Sequence, residues 1–97
     1  MTLPMPLAAE AVPRRALGCR ARRYRGSLLV ANADQAFELD ELAEFVFRDI
    51  DGARTVHQLG ERLAVRYDLP VDQAIADTAD LVHQLVVHRV LDVSPED

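Results

Sequence analysis

Between Phe37 and Tyr67 the chain carries the signals for a strand, a helix, a tight reversal and a second helix, in that order. Phe37 and Leu39 alternate with polar or small neighbours as a half-buried strand requires. Asp40 follows where a helix N-cap is wanted, because its carboxylate can accept from the free amides of a first turn. Asp51-Gly52 stops that helix, the glycine supplying the positive φ that a chain reversal needs. Thr55 with Gln58 three residues later is a capping-box pattern, so a second helix starts there and runs to Tyr67.

The flanking segments extend this frame on both sides. Residues 1 to 15 are Pro- and Ala-rich without a usable period, which predicts a flexible N-terminal arm. Leu17, Cys19 and Ala21 alternate with polar residues, predicting a first strand from about 16 to 24, and Gly26-Ser27 turns the chain. Leu28 to Ala31 is a short apolar run suited to a central strand, Asn32-Ala33-Asp34 reverses direction, and Gln35 to Leu39 forms a third strand. The first helix spans about Glu41 to Ile50 and buries Leu42, Phe45, Val46 and Ile50. The second spans Val56 to Tyr67 and buries Val56, Leu59, Leu63 and Tyr67. Pro70 sits near the first turn of a third helix that continues to about His88, after which Val90-Leu91 folds back as an apolar tail. The expected class is α+β, a winged helix-turn-helix-like domain over residues 16 to 92 with a three-stranded antiparallel sheet followed by three helices, and a C-terminal tail at 93 to 97.

A chain of 97 residues allows one small domain whose core must form without a disulfide, since Cys19 is its single cysteine. A lone cysteine fits a reducing compartment, and the apolar start, Met1 to Val12, lacks the positive n-region of a secretory signal. No run of about 18 apolar residues marks a membrane span. A cytoplasmic location is therefore expected. Charge is sharply divided: residues 1 to 25 hold six arginines against Glu10 for +5, whereas residues 26 to 97 hold five arginines against fifteen acids for −10. The basic strand reads first as a solvated edge that resists sheet-to-sheet pairing, and second as a docking surface for an acidic partner.

Catalytic patterns are not apparent in the sequence. His57, His83 and His88 lack metal-ligand spacing, Cys19 has no base nearby in the sequence, and Ser27 and Ser94 are loop serines. The four glycines are isolated, so no phosphate-cradling loop is present. Acid pairs such as Glu41 with Glu44, or Asp77 with Asp80, read as solvated helix charges. No enzyme activity, cofactor or metal is expected. A carrier protein would need an attachment serine after an Asp at a helix start, which neither serine supplies.

The third helix has a wide apolar arc. At 100° per residue, Val71, Ile75, Thr78, Val82 and Val86 fall near one line, the ordinary core stripe. Ala74, Leu81 and Leu85 lie on one flank, with Asp77, Gln84 and His88 just beyond. By residues alone, Leu81 and Leu85 read as packing on another helix. The helix has no Lys or Arg from Val71 to His88 and carries Asp72, Asp77 and Asp80, the wrong charge for a DNA recognition helix. Binding to nucleic acid is not expected, although a winged-helix DNA-binding or generic protein-interaction domain is the alternative reading.

Leu39-Asp40, Asp51-Gly52-Ala53-Arg54-Thr55-Val56, Tyr67, Asp77-Thr78, and Leu81 with Leu85 follow an order and spacing that resembles the PqqD family, small domains that bind leader segments of ribosomally made precursor peptides. The likeness covers residues 16 to 92. Asp40 stands where the family usually has Asn, Thr78 where Val is usual, and Arg89 where glycine is common. The resemblance implies that the leader adds as a strand beside the third strand, in a groove against the third helix, which is β-augmentation. Carried onto this chain, the peptide-binding residues are Gln35, Ala36, Phe37, Glu38 and Leu39 on the strand and Ala74, Asp77, Leu81, Gln84 and Leu85 on the helix. Small Ala74 is expected to leave room there, and Asp77 to accept from a leader amide or pair with a basic leader residue. The implied partners are a precursor peptide, as in pyrroloquinoline quinone or related biosynthesis, and a modifying enzyme of the radical S-adenosylmethionine type. The free third-strand edge suits either a monomer or a homodimer.

Overall fold

The computed structural model describes residues 9–94. It is an α+β domain with five strands and three helices among the described residues: β1 Val12–Arg15, β2 Arg20–Tyr24, β3 Ser27–Asn32, β4 Gln35–Leu39, α1 Glu41–Asp49, α2 Val56–Tyr67, α3 Val71–Val87 and β5 Leu91–Ser94. The expected three-stranded antiparallel sheet is present in the order β2-β3-β4, followed by the three expected helices. None of these helices is long and apolar enough to cross a membrane.

The first predicted strand needs correction. Strand pairing begins at Arg20, and the apolar alternation at Leu17 does not bury a face, since Leu17 is 98% exposed. Cys19 is half-buried against the core just before β2, while all five residues of β2 are exposed. Val12–Arg15, expected in a loose arm, is instead β1, and it pairs antiparallel with β5, Pro13 opposite Val93 and Arg15 opposite Leu91. A proline is tolerated there because a two-stranded ribbon leaves one side of each strand without ladder bonds. The segment just before β1 also serves α2: the Val56 and His57 amides donate to the Ala11 and Ala9 carbonyls, both at 2.9 Å. With Gln58 N donating to Thr55 Oγ1 at 3.1 Å, the first-turn amides of α2 are satisfied.

The helix signals read from the sequence are realised atom by atom. Asp40 accepts from Ala43 N at 2.8 Å, and Thr55 and Gln58 form the reciprocal capping box. Gly52 takes φ +80°, and the Asp51 carboxylate fastens the reversal by accepting from the Ala53 and Arg54 amides at 2.9 Å. Val30, Phe47, Leu59, Val82 and Leu91 form the centre of a core between the sheet and the helices. On α1, Phe47 is fully buried whereas Leu42, expected inside, is 39% exposed. On α3, Ala74, Thr78, Val82 and Leu85 form the buried arc, with Val71 exposed, so the core stripe is turned toward the flank expected to be open.

Two contacts hold the layers in place. A Cβ at Gly60 of α2 would lie 2.6 Å from the Ile75 Cα on α3, so only glycine permits this helix crossing. At the other side, Arg23 of β2 donates to both Glu44 carboxylate oxygens at 2.9 and 2.8 Å, and Arg48 donates to one of them at 2.9 Å. Bonds from Arg23 and then Arg48 hold the Glu44 carboxyl down to about 2, against an ordinary 4.5. Its stabilisation is therefore complete above the unfolded value and is lost as pH falls from 4.5 toward 2.

Gly60→Ala should destabilise the domain by about 1–3 kcal/mol, because backbone rather than a flexible side-chain end must move. Urea unfolding would measure this, with exposed Val65→Ala as the control. In the same assay Glu44→Gln should lower the midpoint at neutral pH, and its difference from the wild type should shrink as the pH is taken below about 4.

Candidate functional site

β4 is an edge strand, paired with β3 on one side only. In an antiparallel ladder alternate residues direct their N–H and C=O groups away from the partner, and along β4 these groups meet no further strand among the described residues. Phe37 pairs with Val30 and Leu39 with Leu28, so all four side chains point to the helix side of the sheet. There they meet α3 across a groove of about 250 Å³, walled by Phe37, Glu38 and Leu39 from β4 and by Leu81, Gln84 and Leu85 from α3. His88, the C-cap of α3, closes one end by setting its ring 4.6 Å from that of Phe37. At the other end the groove runs into a cavity of about 320 Å³ between α1 and α3. Asp40, Ala43, Leu81 and Gln84 line both.

Of the residues expected at the site, the groove gathers Phe37, Glu38, Leu39, Leu81, Gln84 and Leu85. Leu85 is a buried floor residue and Leu81 a half-buried wall. Ala74 is a correction: it has no exposed surface and belongs to the core, so it opens no space for a ligand. Asp77 lines the neighbouring α1–α3 cavity instead. Gln35 lies beyond His88, beside a hollow lined by Asn32, Val87 and Arg89. Ala36 faces the opposite side of the sheet, next to Arg20, Arg22 and Leu29. Sequence reasoning set His88 just beyond the apolar flank of the third helix but left it out of the site, because its aromatic partner is distant in sequence, and it missed Ala43, which lies on the α1 face toward α3.

The α3 side of the cavity carries Asp77 and Asp80, and no lysine or arginine is among the described residues that line the groove and cavity. Burial pushes the Cys19 thiol up, only partly offset by Arg15, which disfavours the nucleophilic thiolate. No group of three or more His, Cys, Asp or Glu residues that could hold a metal occurs among the described residues. The basic strand is partly absorbed into the fold: Arg23 faces the helices and binds Glu44, while Arg20 and Arg22 lie on the outer face.

A three-helix α+β domain with one open strand edge lying beside its last helix is the class defined by this fold and site. The chain belongs to the PqqD family: the model for coenzyme PQQ synthesis protein D matches residues 26–91. A PqqA binding protein of Rhizobium meliloti (strain 1021) is 26% identical over 96 residues, covering 96% of this chain and 98% of that protein. Among solved structures, the PqqD truncation of Methylobacterium extorquens PqqCD superimposes with a TM-score of 0.76 at 30% identity, covering 88% of this chain and 93% of that one. That truncation is described as a functional, stand-alone recognition element for ribosomally synthesised and post-translationally modified peptides.

The two helix positions respond differently to bulk. Ala74→Trp forces an indole into filled space and should abolish cooperative thermal unfolding. Gln84→Trp, at the exposed rim, should keep a cooperative transition close to that of the wild type. Circular dichroism melts of the two variants separate core from groove.

Proposed function

We propose that this chain is a non-catalytic peptide-binding domain that takes the leader of a PqqA-type precursor as an added strand on β4. The observation that carries this reading is the unpaired β4 edge beside the groove of Phe37, Leu39, Leu81 and Leu85. The free backbone groups of β4 supply hydrogen bonds to any extended peptide, and the groove selects side chains on alternate positions. Support also comes from the family and from relatives described as a PqqA binding protein and a recognition element.

Holding the leader makes encounter of the attached core peptide with a modifying enzyme effectively intramolecular. We assign that enzyme to the radical S-adenosylmethionine class, the step being part of pyrroloquinoline quinone biosynthesis in the cytoplasm. The domain itself supplies no catalytic group in this scheme. A duplex-binding role gains no support, because the solvent face of α3 is acidic and would repel phosphates.

Titration of the isotope-labelled protein with synthetic PqqA peptide of Rhizobium meliloti tests the site. Amide shifts should concentrate on Phe37–Leu39, Leu81, Gln84, Leu85 and His88. Shifts confined to residues 20 to 25, with β4 and α3 unmoved, would move the binding surface to the basic strand.

A further inference from the structure

The α1–α3 cavity next to the groove has a composition that selects one kind of side chain. Its floor is buried Val46, Leu63 and Thr78, its walls include Leu42 and Leu81, and its mouth carries Asp77 and Asp80. Thr78 is 1% exposed, yet its hydroxyl has no hydrogen-bond partner among the described residues. Leaving a buried hydroxyl unpaired is costly, and an apolar residue of the same shape would avoid that cost. No ion pair to Asp77 or Asp80 occurs among the described residues, whereas the nearby Asp40 carboxylate already caps α1.

We infer that this cavity is a specificity subsite for a long cationic side chain, lysine or arginine, of the bound peptide. The inference rests on the peptide-binding reading of the β4 groove, into which the cavity opens through Asp40, Ala43, Leu81 and Gln84. A methylene stem fits against Leu42, Val46, Leu63 and Leu81, as such stems do along apolar surfaces. The terminal N–H groups then pair with the carboxylates at the mouth and, as the stem displaces the lining side chains that close Thr78 Oγ1 from solvent in the free domain, with that hydroxyl as well, giving charge-assisted hydrogen bonds in a partly dry site. A neutral apolar side chain would leave the threonine hydroxyl unpaired, and an acidic one would meet two like charges.

Three measurements on the full chain with synthetic PqqA peptide of Rhizobium meliloti test this. Thr78→Val should raise the urea midpoint, by removing the orphan hydroxyl, while weakening peptide binding about tenfold. Replacing each lysine or arginine of the peptide singly by norleucine should reveal one position with a similar loss. That loss should largely disappear in the surface variant Asp77→Asn/Asp80→Asn, whose mouth no longer distinguishes charge. If the wild type binds but Thr78→Val binds equally tightly and no norleucine peptide is weakened, the subsite is refuted and the β4 groove stands. If the wild-type chain does not bind the peptide at all, the groove reading falls and the subsite falls with it.

Discussion

The close approach of α2 and α3 at Gly60 is the constraint on which the remaining geometry depends. Ile75 sits where a Cβ on residue 60 would be, so the helices meet backbone to side chain with no spacer between them. In an isolated helix that glycine is a liability of about 1 kcal/mol against alanine. Here it draws α3 in until Ala74, Thr78, Val82 and Leu85 are buried. Once that face is fixed, the next face, with Leu81 and Gln84, turns toward β4 and α1. The groove and the cavity are consequences of this crossing rather than independent features.

The two free edges of the sheet are protected differently. β2 carries Arg20, Arg22 and Arg23, and a second copy of the same strand would bring arginines against arginines. One of the three, Arg23, is turned inward onto Glu44 and ties the edge strand to α1. β4 has a lighter defence, with Glu38 and Gln35 as its polar residues and Phe37 and Leu39 lying in the groove. An edge that resists pairing and an edge that invites it therefore stand on opposite sides of one three-stranded sheet. The invitation is made on the side where a helix can read side chains as well as backbone.

Residues near the chain ends contribute more than composition suggested. β1 and β5 close a small second sheet, and the Ala9 and Ala11 carbonyls receive amides from the start of α2. The capping box accounts for the Gln58 amide, and these carbonyls account for the two before it. The start of α2, including the residues next to Asp51-Gly52, is thus held both by its own sequence and by a segment more than forty positions earlier.

Local signals fixed most of the helical frame: Asp40, Thr55, Gln58 and Gly52 each perform the cap or turn that their type and position require, because those hydrogen bonds close within a few residues. The Gln35–Leu39 strand and its alternation were equally legible, and with them the strand half of the groove. Tertiary structure alone decided three things. It made Val12–Arg15 a strand, since its partner lies at the other end of the chain and no local pattern encodes the pairing. It turned α3 so that Ala74 became core and Asp77 faced the α1–α3 cavity, because the glycine at the crossing sets the rotation of the helix and a helical wheel has no knowledge of its neighbour. It placed His88 on Phe37 and left the Thr78 hydroxyl without a partner among the described residues beside a cavity, because contacts between distant residues arise from packing, which the order of residues specifies only once the whole chain has folded.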